Sequence, residues 1–265
     1  MSRLTDQAYL QSAQYHDKTH LQTRIQFHKQ YSVNKYDFPL WIFDRFRISP
    51  LGRILELGCG SGDLWDANKH RVAAGWAITF SDFSVGMLKQ AQQQLSGISH
   101  DVQFAVIDAQ TIPFADNMFD VVIANNMLYH VPDRSIALAE IRRVLKPAGR
   151  LYAATVGEVH LCELYELLRR IDPALSFWGG QPATSFTLDN GRDQLLPWFT
   201  DMALHRYENA LMVTDINPLI TFIESFTPLN ESQRLDLMRI LEDELVRQNG
   251  AVHITKDAGM FEAVN

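Results

Sequence analysis

Cysteine is scarce in this chain of 265 residues, which contains only Cys59 and Cys162. Two distant thiols cannot build a disulfide scaffold, and neither lies in a metal-ligand spacing. The nine histidines are scattered and form no closely spaced pair of ligands. We therefore expect neither a disulfide-rich fold nor a metal site.

Long apolar runs are also lacking. No stretch approaches the roughly 20 apolar residues that a membrane-spanning helix needs, and the first twenty residues have no apolar core typical of a secretory signal. The sequence predicts a cytoplasmic protein without a membrane partner. Internal repeats, low-complexity tracts and Gly/Ser linkers are absent as well, which favours one compact unit with appendages.

An excess of positive charge is the third thing missing. The chain has 24 Lys and Arg against 31 Asp and Glu, a formal net charge of −7. Proteins that bind nucleic acid through its phosphates usually present a basic face. The composition therefore disfavours a nucleic-acid partner and leaves a small molecule as the expected one. A monomer or a homodimer is expected.

From residue 53 onwards, short β-branched runs alternate with helical patterns at intervals typical of βαβ units. This alternation predicts a mostly parallel sheet with right-handed crossovers. The predicted strands are 53–57, 77–81, 102–107, 119–124 and 150–156, and the predicted helices between them are 64–73, 85–95 and 134–145.

The two flanks follow a looser pattern. Residues 1–49 are expected to form an N-terminal helical cap, with helices at 21–31 and 39–47, on a domain of residues 50–265. Residues 157–200 are expected to be an insertion on the substrate side, because long irregular connections often form lids or binding loops. Its aromatic residues suit either an apolar acceptor or a simple hydrophobic cap: Phe177, Trp178, Phe186, Trp198 and Phe199. Further predicted elements are helices at 159–171, 216–226 and 231–248, and strands at 204–212 and 252–254, with 260–264 continuing the last strand or pairing nearby.

The most informative segment runs from Ile54 to Asp63, where an apolar strand enters a turn with glycine at every second position. The glycines are Gly58, Gly60 and Gly62. They let the backbone turn sharply and let a ligand lie against main-chain N–H groups, although a plain tight turn is the alternative. A dinucleotide site of the G-x-G-x-x-G type would require glycine where this chain has Asp63.

The acidic Glu56 precedes the first glycine by two positions, and an acidic group beside the turn suits a cationic ligand better than a pyrophosphate. The run E-L-G-C-G-S-G closely resembles motif I of class I methyltransferases that use S-adenosylmethionine (SAM), which carries a sulfonium and an ammonium but no phosphate. The resemblance implies SAM as cofactor, S-adenosylhomocysteine as product, and a Rossmann-like seven-stranded sheet of order 3-2-1-4-5-7-6 with an antiparallel last strand. Cys59 lies within this turn as a predicted cofactor contact, although packing is its simplest role.

Two carboxylates follow the next strands. The resemblance implies that Asp82 accepts hydrogen bonds from the ribose hydroxyls, with Phe83 and Met87 beside the cofactor; a helix N-cap is the alternative for Asp82. It also implies that Asp108 accepts from the adenine amino group while the backbone N–H of Ala109 meets the ring. A turn residue is the alternative for Asp108.

The segment from Asn125 to Asp133 looks like the N-x-x-L-x-H-V-P-D run of the type-11, ubiquinone-biosynthesis-like subgroup. Asn125 is expected beside the methionine part of SAM, although Asn126 could serve instead. His130 is the first candidate for a general base, with a structural role as the alternative, and His28 is the second. Tyr31 either closes over the cofactor or packs.

These observations predict a SAM-dependent methyltransferase acting on a small-molecule acceptor, with O-, N- or C-methylation left open. A non-catalytic SAM-binding or regulatory subunit would keep the same glycines and Asp82. An NAD-dependent oxidoreductase is a weaker alternative, because glycine is missing at position 63.

Overall fold

The computed structural model describes residues 18–98, 101–175 and 186–265, with side chains from residue 23 onwards. Within these residues seven strands form one sheet of order β3-β2-β1-β4-β5-β7-β6. The strands β1 to β5 pair in parallel, and β7 pairs antiparallel with both β5 and β6. The predicted fold class, strand order and antiparallel last strand are confirmed.

The strands are β1 Arg53–Leu57, β2 Ala77–Asp82, β3 Asp101–Val106, β4 Phe119–Ile123, β5 Leu145–Val156, β6 Asp201–Val213 and β7 Val252–Val264. The described helices are α1 Lys18–Tyr31, α2 Phe38–Phe43, α3 Asp63–Asn68, α4 Val85–Gln94, α5 Arg134–Val144, α6 Cys162–Ile171, α7 Gly191–Leu195, α8 Ile216–Glu224 and α9 Glu231–Arg247. Short 3₁₀ turns occupy Lys69–Arg71 and Leu128–His130.

The central strands are buried on both faces, as a parallel sheet covered by helices requires. In β1 every residue after Arg53 is buried. One cluster of buried side chains lies between the sheet and α5, and another lies between the sheet and α2 and α3. A third joins α1, α6, α8 and α9 to the far ends of β6 and β7. None of the described helices is long and apolar enough to cross a membrane.

Several element bounds differ from the sequence prediction, and the alternative left open for residues 260–264 is settled. β5 begins at Leu145, ahead of the predicted start at residue 150, and α3 ends at Asn68, ahead of the predicted end at residue 73. The helix predicted at 39–47 ends at Phe43, and residues up to Arg47 form turns and an extended segment in which the Arg47 amide donates to the Tyr152 hydroxyl. The two apolar pieces at 252–254 and 260–264 form one continuous strand. Its polar middle remains in the sheet because β6 pairs with it along its whole length, from Val213↔Val252 to Asp201↔Val264.

Candidate functional site

A cleft of about 330 Å³ opens at the carboxyl ends of β1, β2 and β4, the edge at which open α/β sheets bind ligands. The glycine-rich turn after β1 forms one wall, and the segments after β2, β3 and β4 form the others. The lining residues are Glu56, Leu57, Gly58, Cys59, Gly60, Ser61, Asp63, Leu64, Asp82, Phe83, Ser84, Met87, Ile107, Asp108, Ala109, Asn125, Asn126, Met127, His130, Val131 and Pro132.

The glycines of the turn serve different purposes. Gly60 has a φ of +56°, and no atom lies within 4 Å of where its Cβ would be, so its backbone is bare towards the cleft. Gly62 is the N-cap of α3 with a φ of +88°. A Cβ there would lie 2.8 Å from the Leu95 Cδ1 atom. Gly62 therefore allows close packing of the turn, and it is not among the lining residues, although the sequence predicted it as a cofactor contact.

The Asp82 carboxylate is held rigidly at the end of β2. One oxygen accepts a hydrogen bond from the Gly60 amide at 2.9 Å, and the other accepts from the Ser84 amide at 2.7 Å. Burial raises the pKa of Asp82, and the two amides oppose this shift. The N-cap of α4 is Ser84, whose hydroxyl accepts from the Met87 amide. Asp82 is therefore not the helix cap, which leaves the remaining lone pairs of its oxygens for a ligand.

Glu56 lies beneath the turn and is only 2% exposed. Its carboxyl group accepts a hydrogen bond of 2.7 Å from the indole N–H of the fully buried Trp65. Burial raises the pKa of Glu56 to about 8, the indole opposes that shift, and the nearby Asp82 adds to it. Burial also raises the pKa of the Cys59 thiol. Cys59 is therefore a wall of the cleft without thiolate character.

The strands β3 and β4 supply the remaining polar side chains. Asp108 follows β3, and its carboxylate accepts from the Gln110 amide at 2.9 Å, a local turn contact that leaves the side chain lining the cleft. Asn125 follows β4, and both polar atoms of its amide are buried with no hydrogen-bond partner among the described residues. Because an unpaired buried amide is costly, this side chain indicates a place for a ligand.

His130 ends the 3₁₀ turn after β4 and lines the cleft. Its backbone amide donates to the Met127 carbonyl, and its ring packs edge-on against Tyr129 with centroids 4.5 Å apart. The fold therefore gathers His130 into the same cleft as the predicted cofactor contacts.

The structure places two predicted site residues elsewhere. His28 packs edge-on against Phe222 of α8, and Tyr31 belongs to the same apolar cluster. Neither is among the lining residues of the cleft. Of the aromatic residues in the 157–200 segment, Phe186 and Phe199 are buried in the core beside α5, and Trp198 packs against it. The predicted contributions of Phe177 and Trp178 lie outside the described residues.

The sequence reasoning missed several walls of the cleft, of which Ser61, Met127 and Pro132 are examples. These residues are immediate neighbours of the motif positions, so their proximity in sequence was a usable signal. It also missed Trp65 as the partner of Glu56. That signal was available too, since Trp65 lies in the first turn of the helix that the glycine-rich segment opens.

The charge of the cleft is one-sided. Its lining includes four carboxylic acids, Glu56, Asp63, Asp82 and Asp108, and no lysine or arginine among the described lining residues. A cleft with that lining attracts cations and repels phosphates. In the described ranges, no group of three or more His, Cys, Asp and Glu side chains is arranged to hold a metal ion.

Comparison with known proteins agrees with this geometry. Residues 55–153 match a family described as methyltransferase domain. The matched segment is a class I SAM-dependent methyltransferase domain of the type-11 kind. One curated relative, the ubiquinone/menaquinone biosynthesis C-methyltransferase UbiE of Desulfotalea psychrophila, is 43% identical over 99 residues, which are 37% of this chain and 39% of the relative. The chain spans about half the length of the curated relatives it matches.

Solved structures share the fold of this methyltransferase domain. Phosphoethanolamine N-methyltransferase 2 of Haemonchus contortus, in complex with SAM, aligns with a TM-score of 0.61 and 19% identity, over 98% of this chain and 59% of that one. The [4+2]-cyclase SpnF aligns with a TM-score of 0.54 and 17% identity, over 86% of this chain and 80% of that one. A name ending in cyclase among these neighbours means that the fold alone does not fix the reaction.

Proposed function

We propose that this protein transfers a methyl group from SAM to a small-molecule acceptor. The observation that carries the proposal is the one-sided lining of the cleft: three aspartates and the largely protonated Glu56 line it, with no described basic side chain. SAM carries a sulfonium and an ammonium and no phosphate, so it suits this lining. A dinucleotide would bring its pyrophosphate against these acids without a compensating charge.

The residues present fit SAM in three respects. The bare backbone at Gly60 leaves room for a ligand to lie along the turn. The unpartnered amide of Asn125 can hydrogen bond to the amino or carboxylate group of the methionine part. The acidic side chains match its positive charge. We assign the ribose hydroxyls to Asp82 and the adenine amino group to Asp108, with Phe83, Met87 and Ala109 beside the nucleoside.

SAM supplies an activated methyl group on a positively charged sulfur, so the protein mainly needs to position the acceptor and exclude water. Asp82 is suited to positioning because the amides of Gly60 and Ser84 fix both of its oxygens. An acceptor of high pKa also needs a base. We propose His130 for that role because it lines the cleft, whereas His28 does not.

The acceptor atom, whether O, N or C, stays open in this proposal. Residues 1–49 are proposed as a cap on the domain of residues 50–265, with 157–200 on the acceptor side. The described part of the cap includes α2, which packs Trp41, Ile42 and Phe43 into the same buried cluster as Trp65. A non-catalytic SAM-binding subunit remains the main rival, because it would need the same cleft.

The test compares ligands and then turnover. Calorimetric titration of the whole chain with SAM, S-adenosylhomocysteine and NADH should give saturable binding of the first two and none of NADH. Release of S-adenosylhomocysteine over a panel of small acceptors then separates an enzyme from a binding subunit. Saturable NADH binding without SAM binding would overturn the proposal, and SAM binding without turnover on a broad panel would favour the regulatory subunit.

A further inference from the structure

The hairpin of β6 and β7 extends past the carboxyl edge of the sheet. β5 ends at Val156, which pairs with Ala258, but β7 begins six residues earlier and pairs there with β6 alone. Lys256, opposite Asn209, lies in this extension. In the strand order β7 is two positions from β4, a lateral distance of about 10 Å at the usual strand spacing. Lys256 therefore lies at the same edge of the sheet as the cofactor cleft, about two strand spacings from β4.

The side chain of Lys256 lies in an unusual setting for a lysine. Alternate residues of a strand share a face, so Lys256 lies between Ile254 and Ala258 along one side of β7. Ile254 belongs to the apolar cluster around α1, α8 and α9. The ammonium lies 5.9 Å from the centroid of the Tyr207 ring. It has no ion pair or hydrogen bond with any residue of the described ranges. Burial lowers the pKa of Lys256 to about 8, and the Asp37 carboxylate partly opposes this shift.

The positive charge of Lys256 acts on two histidines that come from separate elements. His28 comes from α1 and His160 from the segment after β5, and the Nδ1 atom of each is buried without a partner in the described structure. Burial lowers both pKa values, that of His160 to about 3, and the positive charge of Lys256 acts in the same direction. Both rings are therefore neutral near pH 7, and the buried Nδ1 atom of each has no hydrogen-bond partner in the described structure.

The charges around this cluster do not balance. Arg24 adds a second positive charge near His28. The acids that act on the cluster are Asp37, on Lys256, and Glu163, on His160. Glu163 is already engaged, because the amide and the hydroxyl of Thr255 both donate to its carboxylate. A half-buried ammonium with so little compensation is stabilised by any anion that reaches it.

We propose that Lys256, His28 and His160 bind an anionic oxygen group, a carboxylate or a phosphate, on the methyl acceptor. This inference rests on the proposed methyl transfer and adds the chemical class of the acceptor. Lys256 supplies the charge, and each neutral imidazole can donate one hydrogen bond to the same anionic group in the tautomer that places its single proton on the open Nδ1 atom. The anionic group would then anchor the acceptor about 10 Å along the sheet edge from the end of β4.

Binding of simple anions to the whole chain tests the site directly. The probes are inorganic phosphate and acetate, titrated with and without S-adenosylhomocysteine, and the signals are the ring resonances of His28 and His160 in NMR. We expect saturable shifts of both rings with at least one probe. Saturation by phosphate alone would assign a phosphate-bearing acceptor, and saturation by both would extend the class to carboxylates. Absence of saturation by either probe would overturn the inference.

Matched variants locate the binding. Lys256→Met should weaken anion binding roughly tenfold or more, Lys256→Arg should restore much of it, and Lys29→Met, which removes an exposed lysine from α1, should leave it unchanged. Retained S-adenosylhomocysteine affinity in Lys256→Met shows that the variant is folded. Equal anion affinity in Lys256→Met and the parent would overturn the inference. If the parent protein bound the anions but neither bound SAM nor turned it over, the result would count against the proposed function and not against the anion site.

Discussion

The cofactor cleft and the Lys256 cluster both lie at the carboxyl edge of the sheet, yet they have opposite charge. The cleft is lined by four carboxylic acids and no described basic group. The cluster joins Lys256 to two neutral histidines with Arg24 nearby. A site that must hold a sulfonium cation and a site that must hold an anion would be expected to differ in this way. The difference in charge fits the proposal that a cationic cofactor and an anionic acceptor meet at the carboxyl edge of the sheet.

The first prediction tests whether chemistry belongs to the cleft and anchoring to the cluster. With a working acceptor, His130→Asn should lower kcat by roughly 10²- to 10⁴-fold, the usual contribution of a general base. His160→Asn should raise KM for the acceptor and leave kcat much closer to the parent value, because binding lost in ground and transition states alike appears in KM.

The measurement is steady-state kinetics of both variants at saturating SAM, with SAM affinity as the check on folding. Were His160→Asn to lose kcat while His130→Asn kept it, the division of labour between the two regions would be reversed.

A second prediction concerns the affinity of the cleft for its cation. Asp82→Ala should weaken SAM binding by roughly 1.5–3 kcal/mol, the range for hydrogen bonds to a charged group, which is about a ten- to hundredfold change in Kd. Calorimetry provides the measurement. Asp101→Ala, which removes an exposed carboxylate at the opposite end of β3, is the control and should bind as the parent does. Unchanged affinity in Asp82→Ala would remove the ribose assignment.

The two regions also differ in how far the sequence could predict them. The cleft is built from short contiguous runs at successive strand ends, so a reading of Gly58 to Gly62, Asp82, Asp108 and Asn125 recovers much of its wall. The mostly parallel sheet was predictable for the same reason, since each βα unit carries its own periodic pattern, whereas the strand order came from the resemblance to class I methyltransferases. These are local signals, and the fold brings them together by the ordinary geometry of a parallel sheet.

The cluster has no local signal. His28 and His160 are 132 residues apart, and His160 and Lys256 are 96 residues apart. Lys256 lies in the polar middle of β7, a stretch for which the sequence left open whether the strand continues through it. The sequence suggested His28 as a residue of the site but gave no indication of its partners. Gly62 shows the converse case: its spacing in the motif suits a ligand, and the structure shows that it also has a packing role, because a Cβ there would meet Leu95.

That separation of roles within the glycine-rich turn yields the third prediction. Gly62→Ala should lower the free energy of unfolding by about 1–3 kcal/mol, because a side chain at this positive φ is strained and also meets Leu95. Gly60→Ala has the same backbone strain but open space around the new methyl group, so it should unfold at a higher denaturant concentration than Gly62→Ala. Because the new methyl group points into the cleft, Gly60→Ala should nevertheless lose more SAM affinity than Gly62→Ala does. Denaturant unfolding and calorimetry give the two quantities. Equal stability of the variants would mean that the contact with Leu95 relaxes freely.

The smallest expected effect is a change of up to roughly one bound proton when each region binds its ligand. The cleft should release protons, and the Lys256 cluster should take them up. Burial raises the pKa of Glu56 to about 8 in the free cleft, so the group is largely protonated near pH 7. A bound cation favours the carboxylate and lowers that pKa, so SAM binding should release protons.

The Lys256 cluster should behave in the opposite way. Lys256, with a pKa of about 8, is partly neutral near pH 8. A bound anion favours the ammonium, so phosphate binding should take protons up. Calorimetry in buffers of different ionisation enthalpy measures both signs, and Glu56→Gln and Lys256→Met should abolish the respective exchange. Protons moving in the same direction for both ligands would contradict the opposition of charge between the two regions.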